Sequence, residues 1–408
     1  MPRTSNGEDN LAKLRRVAVV AYTEYPTDPR VRREAETLVA DGYQVHVIGV
    51  RPKAGPLPTH LEGAVLHEVP LTIARGGMLR YVYQYALFFL LSSALLLRLH
   101  FRGRFDLVHV HSLPDFLVFC ALPLKLGRTR ILLDLHEALP EIFMARFGGR
   151  RNTPAVRFAC LLERMSCKFA HHVIAANDGI KRAIVSRGVP SEHVTTVYNA
   201  VERDTGRDLE KTVIERYKLP HGRLIVYAGG INPERDLETL FRATARLPPA
   251  LGVRLVLAGD GDPEYVRELI GLAASLNLSD RTQYLGRLPL SEARALVALS
   301  SVGVVTLQAN PLTELAWPTR ILEFVSHEKP LVVPNLRFIR ETLKECARYY
   351  QPGDAEDLAG QLELVLQSPI LAREIAQCAK RRCERFAWSQ TRGVLLSVCR
   401  PHRESPSL

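Results

Sequence analysis

The stretch 311–334, PLTELAWPTRILEFVSHEKPLVVP, ends in one apolar run, LVV at 331–333, and follows another, VGVVT at 302–306. Short valine-rich runs read as strands, so the local order is strand–loop–helix–strand. Pro318 suits the first helical position, where a missing N–H costs nothing and φ is already set. Arg320 then falls in the first turn, where the helix dipole disfavours a cation unless an anion binds at that end. Glu323 lies three residues on, on the same face, and Ile321, Leu322 and Val325 are left to pack the other side. Two readings fit this spacing. One is a phosphate clamp beside a hydroxyl acceptor; the other is a buried Arg–Glu pair on an ordinary βαβ helix.

Outward from this stretch, strands and helices alternate. In the first half, 16–22 (RVAVVAY), a helix over 31–40 ended by Gly42, and 43–50 (YQVHVIGV) make a parallel βαβ unit. The runs 64–69, 106–111 (DLVHVH), 130–136 (RILLDLH), 172–177 and 194–199 continue it. The polar 202–208, with Gly206, reads as a linker. A second series has strands at 224–227, 254–258, 282–285, 302–306, 331–333 and 347–350, with helices starting near 236, 265, 291 and 318. From 358 to 383 the chain reads as helical, a last helix covers 390–399, and the tail from Pro401 reads as disordered. At 408 residues the chain has room for two domains. They are placed at 1–203 and 204–385, with 386–408 a terminal helix and tail.

Composition is globular, with 47% hydrophobic and 24% charged residues. The net charge of +11 is concentrated in residues 1–200, which hold 26 Lys and Arg against 17 Asp and Glu; the remainder holds 28 against 26. A half this basic points to an anionic partner. No nucleic-acid-binding motif accompanies it, so a membrane surface is favoured over nucleic acid. Seven scattered cysteines without a Cys-x-x-Cys read as reduced thiols. The polar start, 1–14, lacks the apolar core and cleavage site of a signal peptide, and a cytoplasmic location is the expectation. The most apolar run, 79–99 (LRYVYQYALFFLLSSALLLRL), is flanked by Arg75, Arg80, Arg98, Arg102 and Arg104 and follows Gly76-Gly77. It has the ~20 residues of a bilayer span, but strands precede and follow it, which argues against crossing. A buried crossover helix is the favoured reading, an interfacial helix with basic flanks is the other, and a helix this apolar on all sides could also do both, part buried and part dipped.

The 311–334 stretch resembles the donor-binding motif of glycosyltransferase family 4, the retaining enzymes of GT-B architecture. One branch carries T-E-x-x-x-P-x-K-x-x-E-[YF], matched here by Thr313, Glu314, Pro318, Arg320, Glu323 and Phe324. The resemblance implies two Rossmann-like domains facing across a cleft, with a C-terminal helix returning to the first. It implies that Glu323 holds the donor ribose, that Arg320 meets the diphosphate, and that Glu314 reaches the donor sugar. Glu314 stands one residue before the position that the broader family's glutamate spacing demands.

Three further segments match the family. Gly229-Gly230 at a strand end, with Arg235 before the next helix, fits a backbone approach to a diphosphate and a clamping cation. The family's second basic residue, about five positions before Arg235, is replaced here by Gly230. Gly259-Asp260-Gly261-Asp262 resembles the nucleotide-facing glycine turn, with helix N-capping and without metal. His136-Glu137, within DLHEALPE, resembles the family's D-x-H-E segment, which implies contact with the donor sugar or acceptor; His109 and His111 read as packing or cleft-lining residues. The loop 23–30 (TEYPTDPR) takes the place of a glycine-rich loop, at the end of a strand where ligands bind in such sheets; a capped turn is the alternative.

Together these imply a glycosyltransferase moving a sugar from a nucleotide-sugar to an acceptor with retention. His136, Glu314, Arg235 and Arg320 form its catalytic set, and neither cofactor nor metal is required. The basic half and the apolar helix suggest a lipid-linked or envelope glycan acceptor, with the protein peripheral on the cytosolic membrane face. The alternatives are a catalytically degenerate GT-B binding or scaffold protein and a sugar-nucleotide epimerase.

Overall fold

The computed structural model describes residues 15–53, 55–74, 77–146, 152–200, 209–219 and 222–400. The start 1–14, the flank 75–76, the linker 202–208 and the tail from Pro401 lie outside the described residues. The chain forms two compact units. One comprises Met1–Pro140, Asn152–Val197 and Arg392–Leu408; the other comprises Glu141–Arg151 and Tyr198–Thr391.

The first unit is built on an eight-stranded sheet. Its strands are β1 (Arg16–Val20), β2 (Gln44–Val50), β3 (His60–Leu61), β4 (Ala64–Val69), β5 (Leu107–His111), β6 (Arg130–Leu135), β7 (His172–Ala175) and β8 (Val194–Thr196). Their order is β3-β4-β2-β1-β5-β6-β7-β8, parallel throughout except for the β3–β4 edge pair. Helices cover both faces, so β1 is apolar without alternation beyond Arg16, and β5 is buried throughout, its His109 and His111 included. The strand order reverses between β1 and β5, and the crevice beyond their carboxyl ends is where such sheets bind ligands. The 23–30 loop sits there. Asp28 accepts hydrogen bonds from the Arg30 and Val31 amides, capping helix Pro29–Ala40 with Pro29 at its first position. The loop is thus a capped turn, and it also sends the Arg30 side chain into the interior.

Helix Met78–Arg102 corrects the favoured reading of the apolar run. Phe88, Leu96 and Leu99 pack into the core of the sheet, yet only 28% of its most apolar window is buried. Leu90 is 63% exposed and Phe101 81%. The reason is geometric: the run is apolar all round, while a helix lying on a sheet buries one side. It follows β4 and leads to β5 of the same sheet, so it is a crossover and not a span.

The second unit holds β9 (Arg223–Ala228), β10 (Val253–Ala258), β11 (Thr282–Tyr284), β12 (Gly303–Val304), β13 (Leu331–Pro334) and β14 (Arg348–Tyr350). They form two parallel three-stranded sheets, β11-β10-β9 and β12-β13-β14, joined by a bridge between Ile225 and Val302. The combined order, 3-2-1-4-5-6 within this unit, is that of a dinucleotide-binding Rossmann sheet. Its reversal point lies between β9 and β12, so the 229–235 and 305–318 loops flank the ligand crevice of this unit.

Two readings are corrected here. The 358–383 helix is two, Ala355–Gln367 and Pro369–Cys383, because Pro369 cannot continue a helix and Ser368 caps the second one. Cys346 and Cys378 form a disulfide, with Cα atoms 5.0 Å apart; the other five cysteines are not disulfide-bonded. Thirty-two residues separate the pair in sequence, and no spacing signature marks it. The last helix, Trp388–Cys399, begins in the second unit and passes into the first at Arg392. There the Arg400 carbonyl accepts from Arg130 Nη1 at 2.7 Å, and Arg400 pairs with Asp41 at 3.1 Å.

Candidate functional site

The second unit brings Arg320 against Gly229 at the β9 end, with Arg235 in the loop that follows. Helix Thr319–Ser326 starts one residue later than the sequence implies, with Pro318 as its cap residue. Its Ile321, Leu322, Phe324 and Val325 are buried, and Phe324 lies so close to Gly303 that a Cβ there would collide with it. The helix is therefore held tight against β12, which aims Arg320 across to β9. The guanidinium carbon sits 4.1 Å from the Tyr227 ring centroid, a cation–π contact. The Tyr227 hydroxyl donates to the Gly230 carbonyl and is thereby locked to the glycine turn. Gly229 has φ +147°, and a Cβ on it would run into the Arg320 guanidinium. Only glycine admits both features.

Gly259 and Gly261 lie beneath this turn. A Cβ on Gly259 would strike the Gly229 carbonyl, and one on Gly261 the Ile231 carbonyl. Ile231 N donates to the Asp260 carbonyl at 2.9 Å, and Asp262 caps helix Pro263–Ser275. These two glycines let the β9 and β10 turns pack backbone on backbone. Arg235 closes a short turn whose carbonyl accepts from Thr306 Oγ1. The Nε of Arg235, the Nε of Arg320 and Oδ1 of Asn232 are buried without a hydrogen-bond partner. Two orphaned cationic donors in one strand-end loop region suit an anion. A cavity of about 170 Å³ adjoins the turn, lined by Gly229, Ala293, Arg294, Val297, Glu323 and His327 among others. Burial raises the Glu323 carboxyl above its usual range, while Arg320 and Arg294 pull it back down.

The first unit gathers a second polar cluster at the ends of β1, β5 and β6. Arg30 holds Asp134 through Nε at 3.0 Å and Nη2 at 2.8 Å, and donates to the Val197 carbonyl at 2.9 Å. The Arg30 and Asp134 side chains are 4% and 0% exposed. Glu34 approaches Arg30 at 3.1 Å. Burial drives the Glu34 carboxyl well above its usual range, whereas the neighbouring Arg30 charge overrides burial to hold Asp134 well below its own. Arg30 and Asp134 thus pair as one cation and one anion, while the raised Glu34 carboxyl beside them is biased toward its protonated form. His111 Nδ1 lies 3.4 Å from Asp134 Oδ2 and 3.0 Å from His136 Nε2. Burial also lowers His136, to about 4, so its ring is neutral near pH 7.

With this geometry in place, two family models match: Glycosyltransferase Family 4 over residues 30–205 and Glycosyl transferases group 1 over 212–382. The chain is a family 4, group 1 glycosyltransferase. It is 22% identical over 392 residues to an uncharacterized glycosyltransferase, MJ1607, of Methanocaldococcus jannaschii, covering 91% of this chain and 95% of that protein. Its fold is that of HepE from Anabaena, solved with UDP (TM-score 0.74, 16% identity, 94% and 99% covered). It is equally that of sucrose-phosphate synthase from Thermosynechococcus elongatus (TM-score 0.76, 18% identity, 94% and 98% covered). Both are of GT-B architecture.

In this glycosyltransferase the structure gathers Gly229, Gly230, Arg235, Arg320 and Glu323 in the second unit, supported by Gly259 and Gly261. Arg320 makes no ion pair with Glu323; its partner is Tyr227. Glu314 has its Oε2 on the Arg337 amide at 2.8 Å, at the start of helix Arg337–Leu343. His136 stands in the first unit, its amide bonded to Ser112 Oγ at 3.1 Å, and Glu137 beside it is exposed. Sequence reading missed Tyr227, Asn232, Arg294 and the Arg30–Glu34–Asp134 group. An aromatic residue two before a glycine pair at a strand end was the one local signal, for Tyr227.

The Glu34 state has a measurable consequence. Its folded pKa is raised, so as pH rises past the ordinary glutamate range the unfolded chain loses the proton first, and stability falls with pH. Glu34→Gln keeps a neutral group of the same shape. The variant is expected to lose less stability than wild type between pH 5 and 8, the slopes differing by up to ~1.4 kcal/mol per pH unit. Denaturant unfolding at several pH values reads this directly; equal slopes would show that Glu34 is ionised in the fold.

Proposed function

We propose that this glycosyltransferase takes its sugar from a nucleotide-sugar and transfers it with retention to a lipid-linked or envelope glycan acceptor at the cytosolic membrane face. The observation that carries the donor half is the pair of orphaned cationic donors, Arg320 Nε and Arg235 Nε, beside a glycine turn that has no side chain to shield it. HepE has been solved with UDP and with UDP-glucose, which supports a donor of that class. As the anomeric C–O bond to the diphosphate breaks, negative charge grows on the leaving oxygen, where Arg320 and Arg235 would stabilise it. The acceptor hydroxyl forms the new bond on the same face and gives its proton to that leaving oxygen. Glu323, at the cavity, accepts from the ribose hydroxyls. We propose no metal. Ligand-type atoms of Glu34, His109, His111 and Asp134 do lie within 4.8 Å of one another. The Arg30 guanidinium already supplies their counter-charge, and like charges 4 Å apart repel by roughly 4 kcal/mol per unit charge at an effective dielectric of 20.

Thermal unfolding with UDP-, GDP-, ADP- and dTDP-sugars tests the donor half. One nucleotide is expected to stabilise wild type by ~2.7 kcal/mol at a hundred times its Kd, and Glu323→Ala is expected to abolish that shift. Stabilisation of both proteins alike would remove Glu323 from the site.

The membrane half rests on the exposed apolar surface of the first unit. Helix Met78–Arg102 packs on the 115–121 turn through Phe89 and Phe116, and that turn packs on helix Pro154–Phe169 through Phe119 and Phe169. These elements leave Leu90, Phe101, Phe158, Leu161 and Met165 exposed, with Arg98, Arg102, Arg157 and Lys168 exposed among them. Apolar side chains that dip among lipid tails while basic ones meet headgroups make an interfacial anchor. Wild type is expected to co-sediment with anionic vesicles and to release as salt rises. Leu90→Asp/Phe158→Asp is expected to lower vesicle affinity by tenfold or more, since a buried large apolar side chain contributes about 1.5–3 kcal/mol. Unchanged sedimentation of that variant would locate the anchor elsewhere.

A further inference from the structure

The polar cluster of the first unit contains a chain that leads outward. Arg30 pins both oxygens of Asp134; Asp134 Oδ2 faces His111 Nδ1 at 3.4 Å; and His111 Nδ1 faces His136 Nε2 at 3.0 Å. Side-chain exposure rises along it, from 4% and 0% for Arg30 and Asp134 through 1% for His111 to 24% for His136. Only the last ring reaches solvent.

The proton positions follow from this order. Asp134 is an anion that can only accept, so the His111 nitrogen facing it carries the hydrogen. The other ring nitrogen of His111, Nε2, is buried without a partner. A bare acceptor there costs less than an orphaned N–H donor, which points to the same tautomer. With its hydrogen on Nδ1, His111 donates into the space shared by Asp134 Oδ2 and His136 Nε2. His136 Nε2 must then be the bare nitrogen, and a neutral His136 keeps its hydrogen on Nδ1.

We infer that Asp134 and His111 are positioning residues that lock His136 into the Nδ1–H tautomer, making its outer nitrogen a fixed hydrogen-bond donor. Free histidine favours the Nε2–H form, so the lock is visible. It also sets a role: His136 can donate to a sugar or phosphate oxygen through Nδ1 but cannot take a proton there. What oxygen it meets rests on the transferase reading above; the tautomer does not. The Ser112 hydroxyl that accepts the His136 amide fixes the backbone under the ring, so the donor direction is set by main chain and side chain together.

The test is ¹⁵N-histidine labelling with two-bond ¹H–¹⁵N correlation at pH 7.5, the His136 signals assigned by their loss in His136→Gln. Wild type is expected to show His136 as Nδ1–H. In His111→Phe, which keeps ring volume but removes both nitrogens, His136 is expected to shift toward Nε2–H, with kcat lowered at least tenfold and donor KM little changed. His111→Asn, whose amide N–H stands near the place of Nδ1–H, is expected to restore both the tautomer and part of kcat. An Nε2–H signal for His136 in wild type overturns the inference without need of any variant. So does a tautomer that stays Nδ1–H in His111→Phe. The expected spectra without turnover of any nucleotide-sugar would uphold the tautomer lock and sink only the transferase reading of the site.

Discussion

Replacing Arg320 by alanine is expected to lower the rate of sugar transfer by about 10²–10³ while leaving the melting temperature nearly unchanged. That is the usual loss when one preorganised donor to a developing oxyanion is removed. The guanidinium is preorganised from three sides. Helix Thr319–Ser326 carries it, the Tyr227 ring supports its plane at 4.1 Å, and the missing side chain of Gly229 gives it room. Lysine, the residue of the resembling motif, should restore the rate only in part, because a point charge on a flexible stem neither stacks on the ring nor presents a planar fork. Gly229→Ala probes the same geometry from the other side. Its methyl group would displace the guanidinium and strain a φ of +147°, so a comparable loss is expected. Steady-state kinetics with the donor found by thermal shift, run beside melting curves, separates the two causes. A folded Arg320→Ala enzyme with undiminished kcat would place the leaving-group charge on other residues.

Arg30→Met is expected to destabilise the first unit by about 3–5 kcal/mol, the largest stability effect of any single substitution considered for this chain. The magnitude comes from what is left behind. Asp134 is fully buried and held as an anion chiefly by Arg30, so removing the guanidinium leaves a buried charge with no counter-charge. The Val197 carbonyl loses its donor as well. The double variant Arg30→Met/Asp134→Leu should recover much of the loss, because a buried pair replaced by apolar groups of similar volume is often close to neutral. Denaturant unfolding of the two single variants and the double variant closes a mutant cycle. Additive losses would mean that the two side chains do not depend on one another.

The amino-acid sequence by itself determined the alternation of strands and helices, because apolar periodicity is a local property of consecutive residues. It also determined the motif residues Arg320, Glu323 and Gly229, which stand close together or at recognisable strand ends. Other features were decided only by tertiary structure. Tyr227 and Arg320 meet because β9 neighbours β12, and no local pattern announces a strand order. Arg30 and Asp134 are 104 residues apart; Asp134 opens the D-x-H-E segment and Arg30 ends the 23–30 loop, but nothing local joined them until β1 and β6 ended in one crevice. Cys346 and Cys378 paired because helix Arg337–Leu343, which Cys346 follows, packs on helix Pro369–Cys383, whereas sequence supplied only a count. The 78–102 helix shows the limit most plainly. Its composition says that it avoids water but not what covers it, since burial depends on which neighbours the fold brings and how much of a cylinder a flat sheet can hide.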